Sequence, residues 1–397
     1  MQDFLIIGVD GGATKVTAWA VEVDDSGKFS LGNVSESRAY AEYPECDQGF
    51  QPVDMKTQLG ELTSDRIQPT AAELRQALAY TAACADAIIE VARKSGQPRL
   101  LIGIGMPGLK TKNQRGIAVM ANGPRQIDYA LNLEKRLNAA GVELISPIDH
   151  IGSDAYYCGL GEEYASGGQF RNVTNSYYLG GGTGAADALK LNGRLVSLDD
   201  IKSWFVKTWE MKCPENRSIE TYVSSKGIQS LYGELSNRSL AELNQNEIYP
   251  PQILALARNG DRQACKTVNK VAKYLALLLY ERISTLYTGW QGIFDFLNPD
   301  RPEPKNEHPY LGTVIDSIII GQRLGDMLQN ARDDATLWQP FIHSLGMLIR
   351  ESAVLDDKAK AHYCKDGMFN KERLAISQLR EAPALGAGID AYLTYGR

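Results

Sequence analysis

No two of the six cysteines (Cys46, Cys84, Cys158, Cys213, Cys265 and Cys364) stand close enough in sequence to form a CxxC or other short pair. That scatter excludes a dense disulfide framework, and the thiols read as free groups in a reducing cytoplasm. The four histidines are equally dispersed, so no structural zinc site is expected. Positive charge is also short. Lys and Arg number 42 against 48 Asp and Glu, a net charge of −6, without the basic cluster a nucleic-acid partner needs. No apolar run approaches a membrane span; VAKYLALLLYERI (271–283) carries charge and reads as a buried helix. The start, MQDFLIIGVDGG, lacks a basic n-region and runs straight into a strand, so no signal peptide is expected. What is left suits a cytoplasmic protein: 397 residues, 44% hydrophobic and 23% charged, enough for two domains with separate cores.

The chain predicts an α/β protein. FLIIGV (4–9) is a short apolar run ending at Asp10-Gly11-Gly12, and KVTAWAVEV (15–23) alternates like the return strand of a hairpin. A third strand near 28–35 completes a meander. Residues 38–69 are polar and weakly periodic and read as an inserted loop region. Thr70-Ala71-Ala72-Glu73 is a capping box that opens a helix running to about Val91. LLIGIGMPG (100–108) is then a buried strand ending in a Gly-Pro-Gly loop. The second half repeats the theme. SYYLGGGTG (176–184) is a strand entering a glycine turn, AADALKLNGRLVSL (185–198) is a hairpin turning at Asn192-Gly193, and 218–297 is mostly helical. DSIIIGQRLG (316–325) is another buried strand with a glycine turn. This duplication of pattern predicts two α/β lobes of one topology facing each other across a cleft, with two unrelated α/β domains as the alternative. The expected division is 1–125 and 126–397, with the closing helix 382–397 packing back on the first lobe.

Two turns carry the chemistry: Asp10-Gly11-Gly12-Ala13-Thr14-Lys15 and Gly180-Gly181-Gly182-Thr183-Gly184. Neither has Walker A spacing, and neither is a GxGxxG opening a helix. Each is followed by a second strand, the layout of a β-hairpin phosphate clamp, because bare Cα atoms let several backbone N–H groups approach an anion. Asp10, at a strand end, can hold Mg²⁺ beside phosphates, directly or through water, or can cap its own turn. Asp154, in DHIGSDAYYCGLGE (149–162), sits at a helix start, where a carboxylate can act as general base or as N-cap. Asp149 is its local competitor.

These segments resemble the sugar kinases of the ROK and glucokinase group, within the actin-like ATPase superfamily. GVDGGATK (8–15) resembles the first phosphate motif, with Ala13 where the family usually has glycine. IGMPGL (104–109) is similar to the loop lining the sugar pocket, and SDAYYCGLGE (153–162) to the catalytic-aspartate element, with Ser153 in place of asparagine. YLGGGTGAADALKLNGRLV (178–196) resembles the second phosphate hairpin, and SIETYVSSKGIQSLYGEL (218–235) the segment whose glutamate touches the sugar. DSIIIGQRLG and APALGAGIDAYL (382–393) are similar to the adenosine-side strand and helix.

The resemblance implies two ribonuclease H-like lobes and phosphorylation of a sugar hydroxyl, of a hexose or amino sugar, by Mg-ATP. It implies that Asp10, Gly11, Gly12, Thr14 and Lys15 serve the Mg-phosphate end, that Gly181, Gly182, Thr183 and Gly184 hold the outer phosphates, and that Gly321 lies near adenosine. Gly105, Pro107, Asn122, Ser153 and Glu220 would line the sugar site, with Asp154 as the base; Asn122, before Gly123, reads equally well as a turn asparagine. A homodimer is implied in the same way. The chain departs from the family in three places. The clustered zinc cysteines are missing, the ExGH sugar element is not visible in DDIKSWFVKTWEMK (199–212), and no helix-turn-helix precedes the first strand, so the repressor branch is not expected. A catalytically silent sugar or nucleotide sensor and a BadF-type ATPase are the alternatives; the scattered cysteines speak against the latter.

Overall fold

The computed structural model describes residues 3–396 and separates the chain into two α/β units, each with its own hydrophobic core. The first unit comprises the chain up to Ser166 and returns from Glu381 to the end; the second runs from Gly167 to Arg380.

The first unit opens with β1 (Leu5–Gly11), β2 (Lys15–Val23) and β3 (Phe29–Ala39), an antiparallel meander in which Asp10 faces Thr17. Helices α1 (Met55–Thr63) and α2 (Ala71–Ser95) follow, then β4 (Arg99–Gly105), which lies parallel to β1 with Asp10 beside Gly105. Helix α3 (Tyr129–Ala139), the short strands β5 (Glu143–Leu144) and β6 (Ile151–Gly152), and helix α4 (Asp154–Tyr164) complete the sheet side of the unit. The strand order is β3-β2-β1-β4-β5, with β6 pairing farther along β4. The predicted capping box holds: Thr70 accepts the Glu73 N–H at 3.2 Å and the Glu73 carboxylate accepts the Thr70 N–H at 2.8 Å.

The second unit repeats this order with β7 (Ser176–Gly181), β8 (Ala185–Leu191) and β9 (Arg194–Val196) as the meander. After the one-turn helix α5 (Glu220–Val223) and the long, largely buried α6 (Arg262–Thr288), β10 (Ser317–Gly321) lies parallel to β7. It leads into α7 (Gln322–Asn330), and β11 (Leu374–Ile376) closes a sheet ordered β9-β8-β7-β10-β11. The β8–β9 turn, Asn192-Gly193, has both residues at positive φ (51° and 76°), as its hairpin requires. Thus each unit has the strand order of a ribonuclease H-like lobe.

Helix α8 (Ala382–Tyr395) belongs to the first unit and packs on α4, β1 and β4. Alternation along β1 sends Ile7 and Val9 into the core shared with α2, while Gly8 faces α8. The helix lies so close that a methyl group on Gly8 would stand 1.8 Å from the Ala384 carbonyl oxygen, and one on Gly103 1.8 Å from that of Ala387.

Three features differ from the sequence expectation. The first unit extends to Ser166 rather than 125, because residues 143–152 pair with β4 (Arg99 with Glu143, Ile104 with Ile151). The third strand continues to Ala39. The supposed loop 38–69 contains α1, N-capped by Asp54, which accepts the Thr57 N–H at 2.9 Å. No described helix is long and apolar enough to cross a membrane.

Candidate active site

In the first unit the register sets Asp10, Gly105 and Gly152 side by side on three neighbouring strands, β1, β4 and β6. Asp154 follows two residues after Gly152, as the first residue of α4. Its Oδ1 accepts the N–H of Ala155 at 2.9 Å, and Ser153 precedes it as an N-cap residue that makes no side-chain capping bond. The Asp154 charge acts on Asp10. Burial pushes the Asp10 carboxyl up to about 7, the negative charges of Asp154 and Glu381 push the same way, and Lys15 opposes them. Asp10 thus lies within electrostatic reach of Asp154 and Glu381, although no three acidic, histidine or cysteine side chains among the described residues are grouped as a metal site. A divalent cation beside Asp10 fits that environment, since a desolvated carboxylate gains most from a hard positive charge, and Mg²⁺ asks for only one or two protein oxygens when phosphates supply others.

Beside Asp10 the β1–β2 turn is closed by the Gly12 N–H donating to the Lys15 carbonyl at 2.9 Å. Ala13, Thr14 and Lys15 are exposed. Beneath the turn, Tyr40 donates its hydroxyl to the Gly12 carbonyl at 3.2 Å and Tyr80 donates to that of Ala13 at 3.0 Å.

The loop after β4 is half-buried at Pro107 and turns at Gly108 (φ 90°), with Lys110 Nζ donating to the carbonyls of Met106 (2.6 Å) and Gly108 (2.8 Å). Asn122 is exposed on the next loop. That loop is gripped on both sides of Asn122. The fully buried carboxamide of Gln58, from α1, accepts the Met120 N–H at 2.8 Å and donates to the Met120 carbonyl at 3.1 Å. Arg125, 1% exposed, forks onto Glu73 (2.7 and 2.8 Å) and also meets Glu61 and the Gln68 carbonyl. The α4 start is braced too: Tyr157 donates to Asp390 at 3.0 Å, and His150 bridges Asp390 at 2.6 Å and Asp149 at 3.0 Å. The Asp390 bond, working against burial, lifts His150 to about 9. Asp149, the competitor for the base, is thus engaged by a histidine.

The second unit gathers its own set. Gly321 pairs with Gly180 across β10 and β7, beside the turn at Gly182, Thr183 and Gly184. Gly182 accepts the Ser225 N–H through its carbonyl at 2.7 Å, and Gly181 pairs with Ala185. Glu220, at the start of α5, accepts the Ala185 N–H at 2.8 Å, so its carboxylate lies at the turn. The segment before it is held by Glu215, which receives Lys270 (2.6 Å) and the hydroxyls of Tyr222 (2.9 Å) and Tyr274 (3.1 Å). Cys213 is buried, 3.7 Å from the Tyr222 hydroxyl. Gln322, whose backbone is left-handed (φ 57°), lays its carboxamide over the bare Cα atoms of Gly180 and Gly182.

Thus Asp10, Gly11, Gly12, Thr14, Lys15, Gly105, Ser153 and Asp154 lie around one strand end. Gly181, Gly182, Thr183, Gly184, Glu220 and Gly321 lie around another. The sequence reading missed Glu381, Tyr40, Tyr80, Gln58 and Gln322. Only Gln322 left a signal, a non-glycine beside a strand-end glycine.

The ROK family model matches residues 55–288 of the chain. Among solved structures, a ROK hexokinase from Thermus thermophilus is similar at a TM-score of 0.55 and 17% identity, covering 99% of this chain and 99% of that one. A ROK family glucokinase from Streptomyces griseus, in complex with glucose and AMPPNP, is similar at 0.57 and 16%, covering 97% and 98%. A ROK family transcriptional regulator, a homologue of the E. coli MLC protein, is similar at 0.51 and 14%, covering 99% of this chain and 80% of that one. No curated protein matches the chain. At these identities the structural likeness carries the fold.

Proposed function

The chain belongs to the ROK family, and on that premise we propose that it is an ATP-dependent kinase of a sugar hydroxyl, acting on a hexose or amino sugar. The observation that carries the reading is the strand register that sets Asp10, Gly105 and Gly152 side by side, with Asp154 two residues on, beside a glycine turn whose residues 13–15 are exposed. A kinase needs little covalent chemistry from its protein; it needs a base at the acceptor, positive charge at the phosphates and fixed geometry. Asp154 takes the proton of the attacking hydroxyl. In the first unit, Lys15 and the backbone N–H groups of Ala13 and Thr14 meet the phosphate chain; in the second unit, the turn of Gly182, Thr183 and Gly184 is a phosphate-holding candidate of its own, with Gly321 toward adenosine. Mg²⁺ bound at Asp10 supplies positive charge against the spreading phosphoryl charge. Asn122, Ser153, Gly105 and Pro107 of the first unit bind the sugar, and in the second unit Glu220 is a candidate for binding sugar hydroxyls.

A catalytically silent sensor is the second reading, favoured by one observation: the second turn is covered by the chain's own Gln322 carboxamide and Glu220 carboxylate. A panel of hexoses, amino sugars and polyols with Mg-ATP in an ADP-release assay separates the two. Sugar-dependent ADP release is expected, and Asp154→Asn should lower kcat roughly 10²–10⁴-fold while Mg-AMPPNP binding stays within a few-fold. Equal loss of transfer and nucleotide binding would make Asp154 a structural residue. Nucleotide and sugar binding with no ADP release would leave the sensor.

A further inference from the structure

The turn between β1 and β2 rests on a platform built from outside it. Tyr40 directly follows β3 and Tyr80 lies in the middle of α2, yet their rings stack with centroids 3.6 Å apart and planes 16° from parallel. Both are buried, at 2% and 3% exposure. Three of their donors go to one place. The Tyr40 hydroxyl donates to the Gly12 carbonyl (3.2 Å), the Tyr80 hydroxyl to the Ala13 carbonyl (3.0 Å), and the Tyr40 backbone N–H to the Thr14 carbonyl (3.0 Å). Three consecutive carbonyls of the turn are thereby taken from below.

In a trans peptide the C=O of one residue and the N–H of the next point in opposite directions. With the Gly12 and Ala13 carbonyls on the tyrosines, the N–H groups of Ala13 and Thr14 turn the other way, to the exposed side of the turn. On that side the Gly12 Cα is open: a methyl group there would meet nothing nearer than the Lys15 carbonyl at 3.4 Å. A turn without such anchors could rotate its peptides and present carbonyl oxygens, which repel an anion. Tyr80 also reaches the acceptor side, since its hydroxyl lies 3.1 Å from the position of a methyl group on Gly123, next to Asn122.

We infer that Tyr40 and Tyr80 are positioning residues for the phosphoryl donor: by holding the carbonyls of Gly12 and Ala13 they fix the amides of Ala13 and Thr14 toward the phosphate chain. The inference rests on the kinase reading and adds to it two residues that touch no substrate. The test is Tyr40→Phe, Tyr80→Phe and the double variant, which keep the stacked rings and remove only the hydroxyls. Affinity for Mg-AMPPNP is read by titration calorimetry, with the unfolding temperature and kcat measured beside it. Each single variant should bind Mg-AMPPNP about tenfold more weakly, as expected for one buried hydrogen bond, and the double variant about a hundredfold. At saturating ATP, kcat should move less than about threefold. Binding within twofold of wild type in folded variants overturns the inference, whether or not the unfolding temperature falls, because a merely structural pair lowers stability and leaves the affinity of the folded protein alone. Should the Tyr40 variant not fold, Tyr80→Phe decides alone. If the wild type itself fails to bind Mg-AMPPNP, the kinase reading falls first and the inference with it.

Discussion

Replacing Arg125 by methionine should destabilise the protein by about 3–5 kcal/mol near neutral pH and reverse the sign of one pH dependence. Arg125 and Glu73 are 1% and 0% exposed and joined by a two-pronged fork at 2.7 and 2.8 Å. Methionine fills much of the arginine's volume, so packing changes little; the main loss is the charge partner of a buried carboxylate. In the wild type, burial pushes the Glu73 carboxyl up, but the Arg125 fork and the Thr70 N–H outweigh it and leave the group below its ordinary value. A depressed carboxyl stabilises above its unfolded pKa of about 4.3, and that contribution is lost as pH falls. In the variant burial is opposed only by the backbone N–H groups of Thr70 and of residue 125, the carboxyl titrates above its unfolded value, and stability is instead lost as pH rises past that value. Urea unfolding of both proteins at pH 5 and pH 8 measures this, with the larger loss expected at pH 8. Because Arg125 anchors the loop of Asn122, the variant should also raise the sugar KM while leaving Mg-AMPPNP affinity near wild type. A loss below about 1 kcal/mol at pH 8, or equal losses at both pH values, would refute the reasoning.

His150 supplies a second pH test. Its pKa is raised to about 9 by Asp390, so its contribution is complete below about pH 6.5 and disappears as pH rises through 9. With the side chain 25% exposed, about 2 kcal/mol should be lost between pH 6 and 9.5, a slope absent from His150→Gln; an unchanged slope in that variant would assign it elsewhere. Gly103→Ala should cost about 3 kcal/mol or more in urea unfolding, since its methyl would stand 1.8 Å from a backbone oxygen of α8; a cost under about 1 kcal/mol would mean the helix shifts freely.

Much of the fold was legible because its signals are local. Short apolar runs ended at glycines, the capping box stood in four consecutive residues, and Asn192-Gly193 declared its hairpin. Helix α1 escaped for a physical reason: its one fully buried residue is Gln58, so the segment carries no apolar stripe, and what holds it is a pair of hydrogen bonds to Met120. The candidate site residues that the sequence offered, such as Asp10, Asp154 and Glu220, each sit in a motif. The site was not readable where residues far apart in the chain converge. Glu381 reaches Asp10 from the other end of the sequence, and Tyr40 and Tyr80 meet under a turn that contains neither. Glu73 shows both sides at once, visible as a cap and invisible as the partner of Arg125.

The two glycine turns, alike as strings, owe their glycines to different neighbours. Gly12 has open space where a side chain would be, so packing does not demand glycine there and the bare Cα leaves room for a ligand. At Gly182 a methyl group would lie 2.3 Å from the Gln322 carboxamide oxygen, and at Gly184 one would lie 2.9 Å from a Glu220 carboxylate oxygen. That space is already taken by the ends of the chain's own flexible side chains, which would have to move aside for any substituent. The Glu220 carboxylate also takes the Ala185 N–H, an amide that a phosphate would otherwise compete for, and two anions at one amide repel. Glu220 therefore suits neutral hydroxyl groups better than phosphate oxygens. A run of glycines cannot tell a ligand cradle from a packing cradle. The atom standing where the missing Cβ would be can.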